Sequence, residues 1–543
     1  MSVDSRSPFT PLRHNAFRVI WTATLVANLG TLVQSVGAGW MMAELTPSHD
    51  MIALVQASTT LPIMLLAIPG GALADNVNRR KVMLLSQTFM AIVSGLLAVA
   101  AYMGFMTPWT LLAFTFLLGL GGALHLPSWQ ASVRDLVPRE DLPAAVTLNG
   151  MSFNMMRSVG PAFGGLLVAW AGPAAAFGLN AVSYVALIYA LYRWKPNYEV
   201  RTLPAENLAS AIAAGLRYVT LSPNLMRVMS RGFVFGFAAV SIMALLPIIT
   251  RDILHAEAKT YGVLLGVFGF GAILGGLSSP WLRRLLGIEA IVAASFLAFG
   301  VTTLIIAFSE TLLVTIPALI LGGAAWVLAL SLFNVSTQLA TPRWVVGRVL
   351  AIYQTCTFGG MAIGSWLWGG VSEYLGAPVA LVGAAVVMVL GCLMGQIWRM
   401  PDFNQIDLDP ANRFHEPALR LNLKARSGPI LIMVDWQIKD EDTDAFMAAM
   451  IDRRRVRLRD GARDWSLLRD LEHPNTWVES YHVPTWTDYI RHHQRRTKAD
   501  AENFDLLLKL HQGDGPPLVH RMIERRAVTA HDDLEIIERP KTL

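Results

Sequence analysis

The stretch "GGALADNVNRRKVML", from Gly70 to Leu84, places a dense polar loop between two long apolar runs. The flanking runs, Met51–Ala74 and Val82–Met106, contain no charged side chain. The loop between them carries one aspartate and three cations: Asp75, Arg79, Arg80 and Lys81. Because a helix of about 20 apolar residues crosses a bilayer, the stretch predicts a short charged turn between two membrane-spanning helices.

The distribution of charge divides the chain in two. Its 543 residues are 54% hydrophobic and 15% charged, with a mean hydropathy of +0.45 and a net charge of +5. Soluble proteins carry about a quarter of their residues charged. Charge is scarce up to Met400 and dense after it, so we predict a membrane-embedded body and a water-soluble tail. Cys356 and Cys392 lie in apolar runs, which argues against a disulfide framework, and the start lacks a signal-peptide pattern.

The apolar runs predict about twelve transmembrane helices. Residues 142–192 are too many for one crossing, and "AGP" at 171–173 predicts a turn within them, because Gly and Pro interrupt helices. Helices are expected because lipid offers no partner for exposed backbone groups. The other runs are Val19–Met42, Met51–Ala74, Val82–Met106, Thr107–Val133, Gly232–Thr250, Tyr261–Leu282, Ala290–Ser309, Thr311–Pro342, Val349–Ser372 and Tyr374–Trp398.

Cations concentrate in alternate loops. If the amino terminus is inside, the cytoplasmic loops hold Arg79, Arg80, Lys81, Arg134, Arg139, Arg193, Lys195, Arg201, Arg283, Arg284, Arg343 and Arg348. The opposite loops hold mainly acids, with Arg251 and Lys259 as their only cations. This positive-inside bias predicts a multi-pass inner-membrane (plasma-membrane) protein with both termini in the cytoplasm.

A second copy of the polar loop indicates an internal repeat. "GGALADNVNRR" at 70–80 aligns with "GGLSSPWLRR" at 275–284, so that Gly71 matches Gly275 at an offset of 204 residues. Pro138 in "VPRE" and Pro342 in "TPRW" match at the same offset. Two matches in equivalent loops predict two homologous six-helix halves, an arrangement that places a substrate path between them.

These motifs resemble the major facilitator superfamily. Its signature loop matches Gly71, Leu73, Asp75, Arg79, Arg80 and Lys81, although Asn76 and Asn78 depart from the usual basic residue and glycine. "VGPAFGG" at 159–165 is similar to the superfamily's antiporter motif through Gly160, Pro161, Gly164 and Gly165. The stretch 136–167 resembles the branch that contains the enterobactin exporter and the macrolide-efflux proteins. The resemblance covers roughly residues 11–401 and implies secondary transport by alternating access, with export as the direction.

Each motif has two interpretations. A carboxylate at Asp75 paired with the cationic loop would stabilise one conformation and separate in the other; the alternative is a solvated turn that only fixes topology. The glycines of "VGPAFGG" permit close helix contact, with Pro161 as a kink, either as part of the gating or as tight packing alone.

Ionisable groups inside a bilayer are expensive and usually functional. Arg157, one helical turn after Asn154, has either a structural role or a role in substrate binding or coupling. His125 either titrates near neutral pH or is a hydrogen-bonded packing residue. By the family resemblance the first, fourth, seventh and tenth spans line the cavity. The full set of candidate cavity or coupling residues is Asn28, Gln34, His125, Asn154, Arg157, Asn334 and Gln354.

Energy coupling follows by elimination. The chain has no phosphate-binding loop with Lys-Ser/Thr, which argues against ATP hydrolysis, and the superfamily default is a proton gradient. We hypothesise that Arg157 and His125 replace a buried acid in coupling. No cofactor and no metal site are expected.

The central segment 205–225 predicts an amphipathic helix on the membrane surface, with Leu208, Ile212, Leu216 and Val219 on its apolar side. The tail predicts strand-helix-strand-strand-helix-strand, and Ile430, Ile432, Val434, Trp436 and Ile438 share one face of the first strand. This order and "W-x-x-Y-x-x-H" (Trp486, Tyr489, His492) resemble the ferredoxin-like domains of the antibiotic-biosynthesis monooxygenase family, which usually dimerise.

The tail is expected to regulate, to sense substrate or to mediate self-association rather than to catalyse. Trp465, His482, Trp486 and His493 are the residues that an oxygenase pocket would use, but no nucleophile or flavin motif accompanies them. The basic run "RHHQRRTK" is expected to be a solvated or lipid-facing helix surface, so no nucleic-acid partner is predicted.

The sequence therefore predicts an all-α membrane protein with an α+β cytoplasmic domain, and not an enzyme. Its expected function is export of a small organic molecule (siderophore, drug or metabolite), with proton antiport; the alternatives are a membrane-tethered monooxygenase and a structural or sensing role for an inactive carrier. The expected segments are 1–192 (first half), 193–231 (linker), 232–400 (second half), 401–428 (linker), 429–527 (soluble domain) and 528–543 (terminal tail).

Overall fold

The computed structural model describes residues 9–138, 141–195, 208–342, 344–400 and 407–524, the last range without 410, 412, 415, 418 and 425. Within the described helices, the side chains of residues 72–76, of 134, of several residues between 142 and 162, and of 208 are also left undescribed.

The body is helical. Twelve helices follow one another: α1 (Asn15–Leu45), α2 (His49–Asn76), α3 (Arg79–Tyr102), α4 (Pro108–Leu136), α5 (Leu142–Arg193), α6 (Leu208–Thr220), α7 (Pro223–Ile248), α8 (Ala258–Leu285), α9 (Ile288–Ala307), α10 (Leu312–Leu339), α11 (Val346–Leu375) and α12 (Ala377–Ile397). Ten helices in the described part of the chain are long and apolar enough to cross a membrane. A mostly helical membrane body is thus confirmed, and the count of twelve crossings stays a prediction.

Two breaks in helical geometry shape the body. Gly172 has a φ of 77° within α5, a conformation that favours glycine, and it bends the chain where the sequence predicted a turn. At the end of α7 a π-helical turn, Ile249–Ile253, extends the helix. Helix α7 begins at Pro223, ahead of the apolar run that starts at Gly232.

Helix pairs within the body pack closely. α1 runs along α5, α2 along α4, and α9 along α12. Glycines bring two pairs together: a Cβ on Gly323 of α10 would overlap the backbone at Phe268 of α8, and a Cβ on Gly360 of α11 would overlap the backbone at Phe233 of α7. Small residues at such contacts let helix backbones approach, which drives association in lipid.

The chain divides into two compact units. The first contains α1–α5 and, apart from short segments, α7–α12. The second joins the tail to two segments that come earlier in the sequence, Ala213–Leu225 and Gln338–Val349.

The tail forms a four-stranded antiparallel sheet with three helices. In sequence order they are β1 (Ile430–Gln437), α13 (Thr443–Arg459), β2 (Arg463–Arg469), β3 (Thr476–Val483), α14 (Trp486–Gln494), α15 (Lys498–Leu510) and β4 (Leu518–Ile523). The strand order is β2-β3-β1-β4. The alternate residues of β1 predicted to share a face, from Ile430 to Trp436, are buried in the core, so this sheet is consistent with the predicted ferredoxin-like layout.

Helix α6 forms where the sequence predicted it, but its buried side differs. Ala211, Ala214, Tyr218 and Val219 are buried, whereas Leu216 is 51% exposed. The side of α6 that packs on protein therefore differs from the predicted apolar side at Leu216, and the placement of that apolar side on the membrane surface stays a prediction. Alanines and a tyrosine occupy the side that packs, and a count of large aliphatic residues missed them.

Candidate functional site

The signature loop is fixed by hydrogen bonds at both arginines. Asn78 caps α3 by accepting a hydrogen bond from the Lys81 backbone N–H. Arg79 Nη1 donates to Asp135 Oδ2 of α4 at 2.9 Å, in a pair whose side chains are 12% and 18% exposed. Arg80 donates to the Leu191 and Tyr192 carbonyls at 2.9 and 2.8 Å. The loop therefore ties the ends of α3, α4 and α5 together.

Asp135 was not identified from the sequence as the partner of Arg79. Asp75 was predicted instead, and the position of that side chain is not described. The side chains of Leu73 and Asp75 lie outside the described residues. Lys81 is exposed, and Gly71 lies against Ala351 of α11, since a Cβ on Gly71 would be 3.6 Å from the Ala351 Cβ. The position of Asp135 in "VRDL", at the end of an apolar run, was the feature of the sequence that could have marked it as a partner.

The "VGPAFGG" glycines lie at close contacts of α5 with two other helices. A Cβ on Gly160 would lie 2.7 Å from Leu32 Cβ, and one on Gly164 would lie 3.0 Å from Val33 Cα, both on α1. A Cβ on Gly165 would overlap the backbone of Gly262 on α8, in the other predicted half. Pro161 lies inside the helix. The motif thus joins α5 to both predicted halves of the body.

Gln34 lies in a buried polar network. It is 5% exposed, and its Oε1 accepts hydrogen bonds from Ser94 Oγ at 2.8 Å and from Asn180 Nδ2. Asn180 Nδ2 also donates to Tyr184 Oη, which contacts Thr31 Oγ1 at 3.0 Å. This network connects α1, α3 and α5, so the Gln34 carbonyl oxygen is engaged in packing.

The other candidate polar residues are not brought together by described hydrogen bonds. Asn28, His125, Asn334 and Gln354 are partly buried, on α1, α4, α10 and α11. The side chains of Asn154 and Arg157 lie outside the described residues. Among the residues that are described, no group of three or more His, Cys, Asp or Glu is placed to hold a metal ion.

A polar cluster, missed in the sequence, joins the two predicted halves at the end of the bundle opposite the signature loop. We call it the opposite-end cluster: His49, Arg251, Asp252, Ser372 and Glu373. His49 Nε2 lies 3.2 Å from Asp252 Oδ2 of the π-helical turn, and His49 Nδ1 lies 3.0 Å from the Ser372 carbonyl and 2.9 Å from Ser372 Oγ on α11. A carbonyl and a carboxylate both accept, so a protonated imidazole donates both bonds.

Two further members complete the cluster. Glu373 Oε2 accepts hydrogen bonds from the backbone N–H groups of His49 and Asp50 at the start of α2, at 2.5 and 3.3 Å. Arg251 donates to the Ala43 and Thr46 carbonyls at the end of α1, at 2.5 and 3.1 Å, and also pairs with Asp252. Cations favour helix carboxyl ends and anions favour amino ends. The α1–α2 turn of the first half is therefore bonded to the ends of α7 and α11.

A second pair missed in the sequence lies within the second half. Arg231 of α7 is fully buried, and its Nη1 donates to Glu289 Oε2 of α9 at 2.6 Å. The same oxygen accepts from the Met400 N–H at 2.6 Å. The acid Glu289 directly precedes an apolar run, and this position could have indicated a buried partner. The pair was missed because Arg231 was assigned to the linker.

In the second unit, the tail contacts the two earlier segments through arginines. Arg459 lies over the Tyr218 ring at 5.0 Å, and its carbonyl accepts from Arg217 Nε at 3.3 Å. Arg495 lies over Trp344 at 4.1 Å, and Tyr218 packs edge-on against Trp344. This α6–tail contact is built from cation–π pairs, which contribute about 0.5–2 kcal/mol each.

The core of the tail contains a buried ionic cluster. Glu479 accepts from Arg453 and Arg457 at 2.8 and 2.9 Å. Burial alone would raise the pKa of Glu479, but the two guanidinium groups outweigh it and hold the pKa of that carboxyl well below its usual range. Burial, and next the charge of Arg457, hold the pKa of His492 well below its ordinary value.

Similarity to known proteins identifies the family of this chain. The family model described as "Transmembrane secretion effector" matches residues 6–528. Among curated relatives, the enterobactin exporter of Salmonella choleraesuis is 26% identical over 70% of this chain and 93% of its own. The staphyloferrin A transporter of Staphylococcus aureus is 22% identical over 56% and 77%.

Solved structures support the same fold. A mutant form of the nucleoside transporter NupG matches 71% of this chain and 99% of its own, with a TM-score of 0.59 and 12% identity. A bacterial homologue of the lysosomal transporter Spinster, inward-facing and occupied, matches 72% and 97%, with a TM-score of 0.57 and 14% identity. The chain belongs to the transmembrane secretion effector family of major facilitator transporters.

Proposed function

We propose that this chain exports a small organic molecule, a siderophore, drug or metabolite, across the inner membrane by proton antiport. Membership in a transporter family supports transport, and the activities of the relatives, enterobactin export and staphyloferrin A transport, support the substrate class. The proposed orientation has both termini in the cytoplasm, which makes the opposite-end cluster the outer gate.

The observation that carries the proposal is the opposite-end cluster itself. Alternating access needs inter-half contacts that form in one state and break in the other. His49–Asp252 and the bonds of Arg251 to α1 carbonyls join the two predicted halves through polar groups that water can replace. The close backbone approach of Gly165 to Gly262 is a further contact between the two predicted halves.

The cluster also suggests how protons enter the cycle. Protonated His49 donates from Nε2 to Asp252 and from Nδ1 to the Ser372 carbonyl, whereas a neutral ring with its hydrogen on Nε2 keeps the Asp252 bond, accepts from the Ser372 hydroxyl and loses only the bond to the carbonyl. We propose His49 as a coupling residue beside Arg157 and His125. If that is so, His49→Ala lowers export driven by a proton gradient; wild-type export in that variant assigns coupling elsewhere.

The deciding experiment is a flux measurement. A strain lacking the protein is expected to accumulate one compound that a complemented strain exports, and the purified full-length protein in proteoliposomes is expected to move that compound only when a proton gradient is imposed. Export that persists at the full rate after the gradient is collapsed contradicts antiport. Equal intracellular levels of all metabolites in the two strains contradict the export proposal.

We further propose that the tail mediates self-association. The sheet face away from the core carries Leu431 and Met433 of β1 and the exposed Leu468, Leu518 and Met522. Met433→Asp is expected to convert a crosslinkable dimer of the full-length protein into a monomer; an unchanged dimer in that variant places the interface elsewhere.

A further inference from the structure

A cleft in the tail lies between the segment that precedes β1 and the edge of the sheet. Its volume is about 330 Å³, which falls within the range of small-molecule sites. One wall is formed by Leu419, Arg420 and Leu421, and the other by Trp486 and Arg521.

The lining combines apolar surface with two cations. Among the described residues that line the cleft there are two arginines and no aspartate or glutamate. Arg420 is exposed and has no hydrogen bond or ion pair in the described part of the chain. Arg521 Nε donates to Tyr489 Oη at 2.7 Å, which orients its guanidinium group at the cleft. The cleft thus offers two donors for an acidic group and no competing carboxylate.

The aromatic wall of the cleft is closely packed. Trp486 is 6% exposed and stacks on Tyr489 with ring centroids 4.8 Å apart and an interplanar angle of 18°. The centroid of the Tyr489 ring in turn lies 4.3 Å from that of His493 and 6.1 Å from that of Phe414. A flat ring packed against such a wall gains apolar burial without the entropy cost of ordering flexible side chains.

The electrostatic field behind this wall is positive. Arg453 and Arg457 both pair with the carboxylate of Glu479, and the charge of Arg496 also acts on this same carboxylate, so three arginines face one acid there. Burial, and then the charges of Arg496, Arg457 and Arg521, hold the pKa of His493 well below its ordinary value. Buried positive charge in excess of negative charge is costly unless an anion lies nearby.

We propose that this cleft binds a small aromatic carboxylate or phenolate, with the acidic group between Arg420 and Arg521 and the ring against Trp486. This site lies in the tail, so it goes beyond the transport proposed above. Because Leu419 and Leu421 belong to the segment that leads from α12 into the tail, a bound ligand also holds that segment against the sheet.

The test is binding to the full-length, detergent-purified protein, with no transport step in the readout. Benzoate at millimolar concentration is expected to bind in isothermal titration and to slow hydrogen exchange in residues 419–423, whereas benzyl alcohol, its uncharged analogue, does neither. Arg420→Gln is expected to weaken benzoate binding about tenfold with an unchanged unfolding midpoint, because Arg420 has no structural bond to lose. Arg521→Gln is expected to weaken it at least as much.

The matched control is Arg454→Gln, an exposed arginine on α13 outside the cleft, which should bind benzoate as the wild type does. Wild-type protein that binds no benzoate, or equal affinity in wild type and the Arg420→Gln/Arg521→Gln double variant, overturns the proposal. Inorganic phosphate that protects residues 419–423 as well as benzoate does overturns the aromatic class. Since no outcome depends on flux, the result is independent of the export assay.

Discussion

At the residue scale, Arg79 illustrates what a motif predicts and what it leaves open. The sequence marks the arginine as part of a polar turn, and the structure adds Asp135 as its partner across α4. The choice of partner depends on where two helices end relative to each other, which no local pattern encodes. The same limit hid Arg231–Glu289, where the two residues lie on different helices.

The Arg79–Asp135 pair is expected to contribute to stability. Its side chains are mostly buried, so removing one partner leaves the other charge poorly solvated; we expect Arg79→Ala to lower the unfolding free energy by about 1–2 kcal/mol. Thermal unfolding of the purified protein measures this loss of stability. Lys81→Ala, in the same loop but exposed, is the control and should change the midpoint little. Equal shifts in the two variants would show that loop charge, and not the pair, matters.

Gly165 provides the second residue-scale prediction. A methyl group there meets the backbone of Gly262, so Gly165→Ala is expected to cost about 1–3 kcal/mol of overpacking and to slow transport. Gly178 lies on the same helix with nothing within 4 Å of a built Cβ. Gly178→Ala should therefore be neutral or slightly stabilising. Wild-type transport and stability in Gly165→Ala would contradict the close approach of α5 and α8.

At the element scale, the tail was predictable because its first strand alternates apolar and polar side chains. Along β1, buried residues alternate with partly exposed ones, and the residues from Ile430 to Trp436 that were predicted to share a face are the buried ones. Helix α6 shows the opposite case: its burial depends on Tyr218, whose aromatic ring meets Arg459 of the tail, over two hundred residues away in the sequence. A hydrophobic stripe drawn from aliphatic residues cannot detect a partner of that kind.

The ionic core of the tail gives a pH prediction. Glu479 has a depressed pKa when folded, so its stabilisation is present above the pKa of an unfolded glutamate, about 4.3, and is lost as pH falls below it. His492 stays neutral when folded, so protonation of the unfolded chain removes stability below about pH 6.5. Both effects have one sign: the tail should lose stability from pH 7 to pH 4.

Tail unfolding in the full-length protein, followed by hydrogen exchange in β1 and β3, measures this loss. Glu479→Gln should destabilise the tail by about 3–5 kcal/mol at pH 7, because two buried arginines lose their counter-ion, and should flatten the pH dependence between 5 and 4. Glu472→Gln, on an exposed turn, should stay within about 0.5 kcal/mol of the wild type. A tail whose stability rises toward pH 4 would refute the assignment.

The α6–tail contact is testable as a unit. Arg495→Ala removes the guanidinium group that lies over Trp344, and a cation–π loss of about 0.5–2 kcal/mol should speed hydrogen exchange in residues 213–220 and 344–349 several-fold. Arg454→Ala, whose guanidinium group lies over Trp465 within the tail, should leave those segments unchanged. Unaltered exchange in Arg495→Ala would mean that the contact does not hold the segments.

At the scale of the whole molecule, the repeat offset of 204 residues predicts two homologous halves, and this division stays a prediction. The sequence could not predict how the halves meet. His49, Arg251 and Glu373 appear in the sequence as scattered loop charges, and only the fold brings a turn of the first half beside two helix ends of the second. Inter-half contacts are a property of one conformation, which composition does not specify.

Arg251→Ala tests that conformation directly. The arginine holds the end of α1 through the Ala43 and Thr46 carbonyls, so its loss should shift the protein toward a state with this end open. Spin labels are attached at Phe105→Cys and Glu310→Cys, which lie on exposed turns of the two predicted halves, in a Cys356→Ser/Cys392→Ser background. Double electron–electron resonance then measures the distance between the two labels. A population at longer distance is expected in Arg251→Ala. Lys259→Ala removes an exposed cation nearby and should keep the wild-type distribution; the same distribution in all three proteins would show that the cluster does not govern closure.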